Sequence, residues 1–476
     1  MQGAFWNAVA QYGSQLIYMA SLVVLARMLV PADFGGVSMA LLVISFLAIF
    51  CEAGFVSALI QKKDLTLEDR CVAFWAQLAL SASICVVMLF AAPLVALFFN
   101  DNRLIAITRW LAATLLFMPF NVIPEALETK HIRYNVIAVA ELIGSAAGAA
   151  AAVIMALNHM GVWSLVGLQL IKRAARGIAL MTLTRWFPLL RFSRKALAAL
   201  YDIGKQFTLK NLVFYMAENV DSLLIGRMLG PAALGLYNLG YQIPSYPTMK
   251  AWNMFGAMLF PAFSMMERDS PRLKVNLLRV SWLGGFFLNP LSLAILFGAG
   301  PIVEVVLGPK WIEAVPIVQI FSFLMIALAV SLGDESLLLT VGKVSLVTRW
   351  KSAVSAAMLG AGYIAVKFGG LIGITMSFVV CSILYIAVIK YITFLALGLR
   401  WSEYFFALRT VVAVTILSAL VLWTYKLVFH ALSPVSFVLG EILLTALVMT
   451  PFVIRSRILD LKQRKIDLER IIAFSG

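Results

Sequence analysis

Polar length is what this chain lacks most. Only 13% of its residues are charged and 62% are apolar, where a soluble domain has about a quarter and about half. No segment between its apolar runs is long enough to hold a catalytic domain. Histidine is scarce, and His131, His159 and His430 form no motif. The four cysteines, Cys51, Cys71, Cys85 and Cys381, make no Cys-x-x-Cys pair and have no histidine at metal spacing, so they read as small buried hydrophobes. No Gly-rich phosphate loop occurs. These gaps leave an enzyme of the polymerase, ligase or transferase kind without acid/base or nucleotide-binding residues. They argue for a protein that is not an enzyme and has no metal or organic cofactor. Residues Met1–Met28 lack the basic start and small-residue cleavage site of a signal peptide and read as a first span.

What is present is apolar length. Mean hydropathy is +0.95 over 476 residues. A membrane crossing needs about 20 mostly apolar residues. Such runs are expected at Phe5–Ala26, Phe34–Ile60, Val72–Phe99, Leu104–Val122, Val136–Leu157, Val162–Leu183, Phe207–Ile225, Leu236–Phe263, Val275–Phe297, Ile317–Leu339, Val344–Val366, Leu371–Ile389, Tyr404–Tyr425 and Val435–Ile454. The fold expected is an all-α multi-pass bundle of about fourteen spans, with the fourth and tenth interrupted by polar residues or proline.

The formal net charge is +15. Most of the cations sit in short loops between the runs, so they mark topology rather than nucleic-acid binding. With the N-terminus inside, twenty-five of the 38 Lys and Arg residues fall in the inside loops and tail and seven outside. That bias places both termini in the cytoplasm and makes residues 456–476 a cytoplasmic tail.

Arg27-Met28-Leu29-Val30-Pro31-Ala32-Asp33-Phe34-Gly35 recurs 200 residues later as Arg227-Met228-Leu229-Gly230-Pro231-Ala232-Ala233-Leu234-Gly235, with six of nine residues identical. Each copy is a turn joining the first two helices of a group of six. The repeat implies two six-helix lobes, 1–200 and 201–400, running the same way through the membrane, with the substrate site between them. Residues 401–455 then add two further helices. Such a pair suits alternating access.

Ionisable groups at membrane depth cost roughly 2.5–3.5 kcal/mol each on insertion scales and mark cavities. Lys172, Arg173 and Arg176 lie midway along the sixth run, with Lys172 and Arg176 four apart on one helix face. Lys210 and Lys250 lie in the seventh and eighth runs, and Arg409 near the start of the thirteenth. Together they describe a cationic cavity for an anionic substrate, since Arg offers forked donors and Lys a compact charge. The same cations can instead be paired internally with Glu141, Glu218 or Asp221. Glu52, Glu141 and Asp221 are candidates for coupling to protons or sodium, with Asp334 and Glu335 as further buried carboxylates. Pro244 and Pro247 are expected to break the eighth helix.

Four stretches carry a resemblance: Gly54-Phe55-Val56-Ser57-Ala58-Leu59-Ile60-Gln61-Lys62-Lys63-Asp64; Asp221-Ser222-Leu223-Leu224-Ile225-Gly226-Arg227-Met228-Leu229-Gly230-Pro231 running on to Leu236-Tyr237-Asn238; Leu259-Phe260-Pro261-Ala262-Phe263; and Gly308-Pro309-Lys310-Trp311. Over residues 1–400 the chain resembles the polysaccharide transporter family, the Wzx-type oligosaccharide flippases, and looks most like the colanic-acid-exporter branch. The resemblance implies an undecaprenyl-pyrophosphate-linked oligosaccharide as substrate, moved across the bacterial inner membrane, with membrane lipids and the polysaccharide polymerase machinery as partners. It implies recurring cations at Arg176 and Lys250, whereas Lys172 and Arg173 look particular to this chain. Asp334-Glu335 departs from the family pattern. An ion-coupled small-molecule antiporter of the same superfamily is the alternative.

Overall fold

The computed structural model describes residues 2–52, 54–62, 64–191, 193–265, 271–429 and 432–452, with the backbone alone at 2–5, 7–11, 203, 205–207, 209–210, 213, 217, 253–258, 260–262 and 271. The tail expected at 456–476 lies outside the described residues. Among those residues the secondary structure is helical, without strands. The chain runs α1 (Gln2–Met28), α2 (Pro31–Glu52), α3 (Phe55–Gln61), α4 (Leu67–Phe99), α5 (Arg103–Leu116), α6 (Met118–Lys130), α7 (Tyr134–Leu157), α8 (Trp163–Thr184) and α9 (Arg194–Ser264). It continues through α10 (Pro271–Phe297), α11 (Ala299–Val306), a 3-10 turn (Pro309–Ala314), α12 (Val315–Ala329), α13 (Asp334–Thr340), α14 (Val344–Leu397), α15 (Trp401–Ala407), α16 (Arg409–Val428) and α17 (Pro434–Phe452). Nine helical stretches among the described residues are long and apolar enough to cross a membrane. The chain is a multi-pass α-helical membrane protein. Its described residues form two compact units, one of residues 2–238 with 355–374 and one of 239–354 with 375–452.

Breaks fall where local chemistry permits them. The second apolar run was expected to be continuous, but it divides into α2 and α3 at Gly54. Its φ is 70°, in the left-handed region, and an added Cβ would overlap the Gly204 backbone. The expected fourth span divides at Phe117, and the tenth divides across the turn between α12 and α13. Helix α9 changes direction at Gly230, with φ 87°. It does not leave helical dihedrals at Pro244 or Pro247, contrary to the expected break. A proline removes one N–H and crowds the preceding turn, which bends a helix without necessarily ending it.

The two copies of the repeated segment meet inside the first unit. A Cβ on Gly35 would overlap the Pro231 carbonyl, and a Cβ on Gly235 would overlap the Pro31 carbonyl. Each proline opens the helix that follows its turn, where its missing N–H costs nothing. The contact is reciprocal, as between two halves related by a twofold axis. Thus glycine at the ninth position of each copy is needed for backbone to meet backbone. Asp221 and Tyr237, both inside the second quoted stretch, close this region with a hydrogen bond from the Tyr237 hydroxyl to Asp221 Oδ2.

In the second unit, Trp311 of the Gly308-Pro309-Lys310-Trp311 stretch is fully buried on the 3-10 turn. That motif serves packing. Lys390 reaches the break after α12, donating to the Val330 carbonyl at 2.8 Å and pairing with Asp334 at 2.7 Å, both side chains buried. The carbonyl freed by the break is thereby satisfied.

Candidate functional site

The cationic cluster is built on a close helix crossing in the first unit. Gly144 and Gly148, four apart on α7, face α8. A Cβ at Gly144 would lie 2.6 Å from Arg176 Cβ, and one at Gly148 would lie 2.8 Å from Lys172 Cβ. Small residues at this spacing let membrane helices touch backbone to backbone. Glu141 stands one turn before Gly144, so the crossing carries its carboxylate onto the α8 cations. Glu141 Oε2 accepts from Arg176 Nε at 2.7 Å, and its Oε1 lies 2.9 Å from Lys172 Nζ. Ser145 adds a hydroxyl donor to Glu141 at 3.3 Å.

Helix α6 supplies the other side. Glu125 Oε2 accepts from Arg176 Nη2 at 2.7 Å, and Asn121 Oδ1 accepts from Nη1 at 3.2 Å. The Asn121 amide donates to the Phe117 carbonyl freed at the α5–α6 break, at 2.8 Å, and to the Arg173 carbonyl at 3.0 Å. Gly177 leaves room for Asn121 against α8. The Arg176 side chain is 14% exposed, while Glu125 is 41% exposed. The guanidinium is therefore fixed from below by Glu141 and from the open side by Glu125.

Arg173 differs from its neighbours. It is half-buried, and no carboxylate lies within ion-pair distance among the described residues. Glu52 lies close enough to Glu125 for the two carboxylates to repel. The group thus holds three cations and three carboxylates within one unit, with Arg173 and Glu52 the members left without an ion-pair partner among the described residues.

The other expected residues lie apart from this group. Lys250 is half-buried in the second unit, without an ion pair among the described residues. The side chain of Lys210 lies outside the described residues. Asp221 is buried and engaged with Tyr237. Glu218 is exposed and Arg409 lies over the Phe406 ring at 4.2 Å. Glu125, Asn121 and the Gly144–Gly148 pair were not read from sequence. The glycine spacing was the available signal, and Glu125 was hidden because the fourth run was ended at Val122, whereas α6 continues to Lys130. A further buried carboxylate, Glu441 of α17, lies against Gly298.

The described residues thus form a helical bundle with a partly buried ionic cluster on α6, α7 and α8. The chain matches the family described as polysaccharide biosynthesis protein over residues 24–316, more than half its length, and it belongs to that family. It is 23% identical over 407 residues to the teichuronic acid biosynthesis protein TuaB of Bacillus subtilis, covering 85% of this chain and 84% of that protein. It is 24% identical to the lipopolysaccharide biosynthesis protein WzxC of Escherichia coli, covering 81% and 78%. It is 26% identical to the succinoglycan biosynthesis transport protein ExoT of Rhizobium meliloti, covering 67% and 64%. Among solved structures, the lipid II flippase MurJ in an inward closed conformation matches with a TM-score of 0.75 at 13% identity, covering 95% of this chain and 99% of that one. An inward-facing multidrug resistance transporter of the MATE family matches with a TM-score of 0.61 at 15% identity, covering 82% and 98%. These likenesses establish the fold. Of the proteins compared, ExoT is named a transport protein, MurJ a flippase and the MATE protein a transporter; this chain is a polysaccharide biosynthesis protein and not an enzyme.

Proposed function

We propose that the chain is a flippase that moves an undecaprenyl-pyrophosphate-linked oligosaccharide from the cytoplasmic to the outer leaflet of the bacterial inner membrane, for surface or extracellular polysaccharide. Both termini are cytoplasmic and the chain crosses fourteen times. Lobes 1–200 and 201–400 alternate access, and helices in 401–455 stand outside the pair. The observation that carries this reading is the α8 cluster, in which Arg173 has no carboxylate partner among the described residues and Arg176 is shared with an accessible Glu125.

The substrate's pyrophosphate first meets Arg173. It then competes with Glu125 for the outer face of Arg176, because a phosphate offers the same bidentate acceptor geometry as a carboxylate. Lys172 stays with Glu141 and sets the position of α8. Lys210 and Lys250 add positive charge along the path. Displaced Glu125 faces Glu52, and a proton on either one relieves their repulsion, which couples substrate entry to proton binding. Glu141 and Asp221 are the remaining coupling candidates, with sodium as the other driving ion. The polysaccharide polymerase machinery receives the product. The MATE-like fold supports a second reading, a small-molecule antiporter.

Proteoliposomes holding a fluorescent undecaprenyl-pyrophosphate oligosaccharide separate the two. Wild type exposes the label to an impermeant quencher over time, and Arg173→Gln slows this at least tenfold. Equal rates with and without protein would reject the flippase reading.

A further inference from the structure

A second polar site lies in the first unit, away from the α8 cluster, where the ends of three helices meet. Arg70 near the start of α4, Glu128 and His131 at the end of α6, Arg133 just beyond, and Thr184, Arg185 and Trp186 at the end of α8 enclose a cavity of about 290 Å³. Sequence reading assigns these cations to topology, and topology needs only solvated side chains. Several features go beyond that.

Arg70 Nε and Trp186 Nε1 are buried donors with no acceptor among the described residues, and Glu128, itself buried, has Oε2 unpaired. Buried polar groups are ordinarily hydrogen-bonded, so unmatched donors on two residues that line one cavity mark a missing acceptor. The floor is firm. Trp186 packs edge-on against Phe74 at 5.9 Å, beside Ile123 and Leu127. The Trp75 indole donates to the Leu189 carbonyl at 2.9 Å and pins the following segment to α4. The backbone is also unusual. Ile132 and Arg185 have φ of 59° and 51°, a left-handed conformation in which glycine is the ordinary residue. Arg185 closes α8 in that conformation, so its position favours the guanidinium over an easy turn.

We propose that this cavity binds a phosphate bearing a neighbouring hydroxyl donor, as in a phosphatidylglycerol headgroup. Arg70, Arg133, Arg185 and the Trp186 N–H hold the phosphate oxygens, and Glu128 Oε2 accepts from the hydroxyl. Three guanidinium groups against one carboxylate give the site its preference for anions. A soluble glycerol phosphate carries the same chemistry. The inference is independent of the transported substrate, so failure of the flippase reading leaves it standing.

The test uses the purified full chain in neutral detergent. Its thermal transition is followed during titration with phosphatidylglycerol, phosphatidylcholine or glycerol 3-phosphate, and native mass spectrometry scores retained lipid. A saturable upward shift with phosphatidylglycerol, absent with phosphatidylcholine, supports a lipid site. The same shift with glycerol 3-phosphate assigns the site to a soluble phosphate. Arg70→Gln and Arg185→Gly weaken the response at least tenfold, while Arg194→Gln, an exposed arginine outside the cavity, leaves it unchanged. Arg185→Gly relieves the left-handed turn and keeps the ligand-free transition at or above wild type, so its loss of response is not a folding defect. Equal responses in wild type, Arg70→Gln and Arg185→Gly, or no saturable response to either phosphate, would overturn the proposal.

Discussion

The reciprocal contact of Gly35 with Pro231 and of Gly235 with Pro31 gives a sharp handle on conformation. In Gly35→Ala the new methyl meets a backbone carbonyl, which no rotamer change can move aside. The two turns must separate. Overpacking of this kind costs about 1–3 kcal/mol, and about 1.4 kcal/mol is a factor of ten in an equilibrium. Gly35→Ala should therefore shift the balance against touching turns by roughly 5- to 150-fold. Leu234 is fully buried beside Gly235, so a cysteine there reports separation. The native cysteines are buried or half-buried and give a low background. Maleimide labelling of Leu234→Cys should accelerate by that factor when Gly35→Ala is added. Gly300→Ala, where an added Cβ meets nothing within 4 Å, should leave the rate unchanged. An unchanged labelling rate in the Gly35→Ala background would refute the argument that the glycine exists for this contact.

Gly148→Leu should force α7 from α8, separate Glu141 from Lys172 and lower the detergent-solubilised protein's thermal transition, whereas Gly369→Leu, in open space, should not. Asn121→Ala removes two bonds to backbone carbonyls and should cost about 1–3 kcal/mol in denaturant unfolding, the price of buried groups left unpaired. Glu125→Gln should strengthen binding of a pyrophosphate-bearing substrate to the α8 cluster in a direct binding assay, because it removes the anion competing for Arg176. Burial raises the Asp101 carboxyl, but the Arg103 guanidinium and backbone N–H outweigh it and hold the group below the usual carboxylate range. Its contribution to the α4–α5 turn is complete above the unfolded value, about 3.9, and is lost as pH falls through the lower folded value. Protection of the amides at that turn, taken relative to the intrinsic exchange rate at each pH, should fall in acid, and Asp101→Asn should abolish that fall.

The helices were legible because apolar length survives any detail of packing. The starts of α4 and α10 and the ends of α4, α7 and α10 fall within a few residues of the runs read from sequence. The breaks were legible only where proline or charge interrupted a run. Gly54 gave no such signal, because what bends the chain there is the approach of Gly204, 150 residues away. The cations of α8 stood out in sequence because lipid tolerates charge poorly. Their partners did not, apart from Glu141, since Glu125 and Asn121 reach them only through the α5–α6 break and the narrow α7–α8 crossing. The repeat was visible as identity, but its two copies touching each other depends on the glycine that ends each one.

On the proposed function, a lipid-linked oligosaccharide passes the α8 cations on its way across the membrane. The most direct measurement deletes the gene in its host and quantifies surface polysaccharide and lipid-linked repeat units on each face of the inner membrane, with complementation by wild type and Arg173→Ala. The account predicts loss of polysaccharide with lipid-linked units held on the cytoplasmic face, restored by wild type and not by a normally inserted Arg173→Ala. Unchanged polysaccharide and unchanged lipid pools on deletion would contradict it.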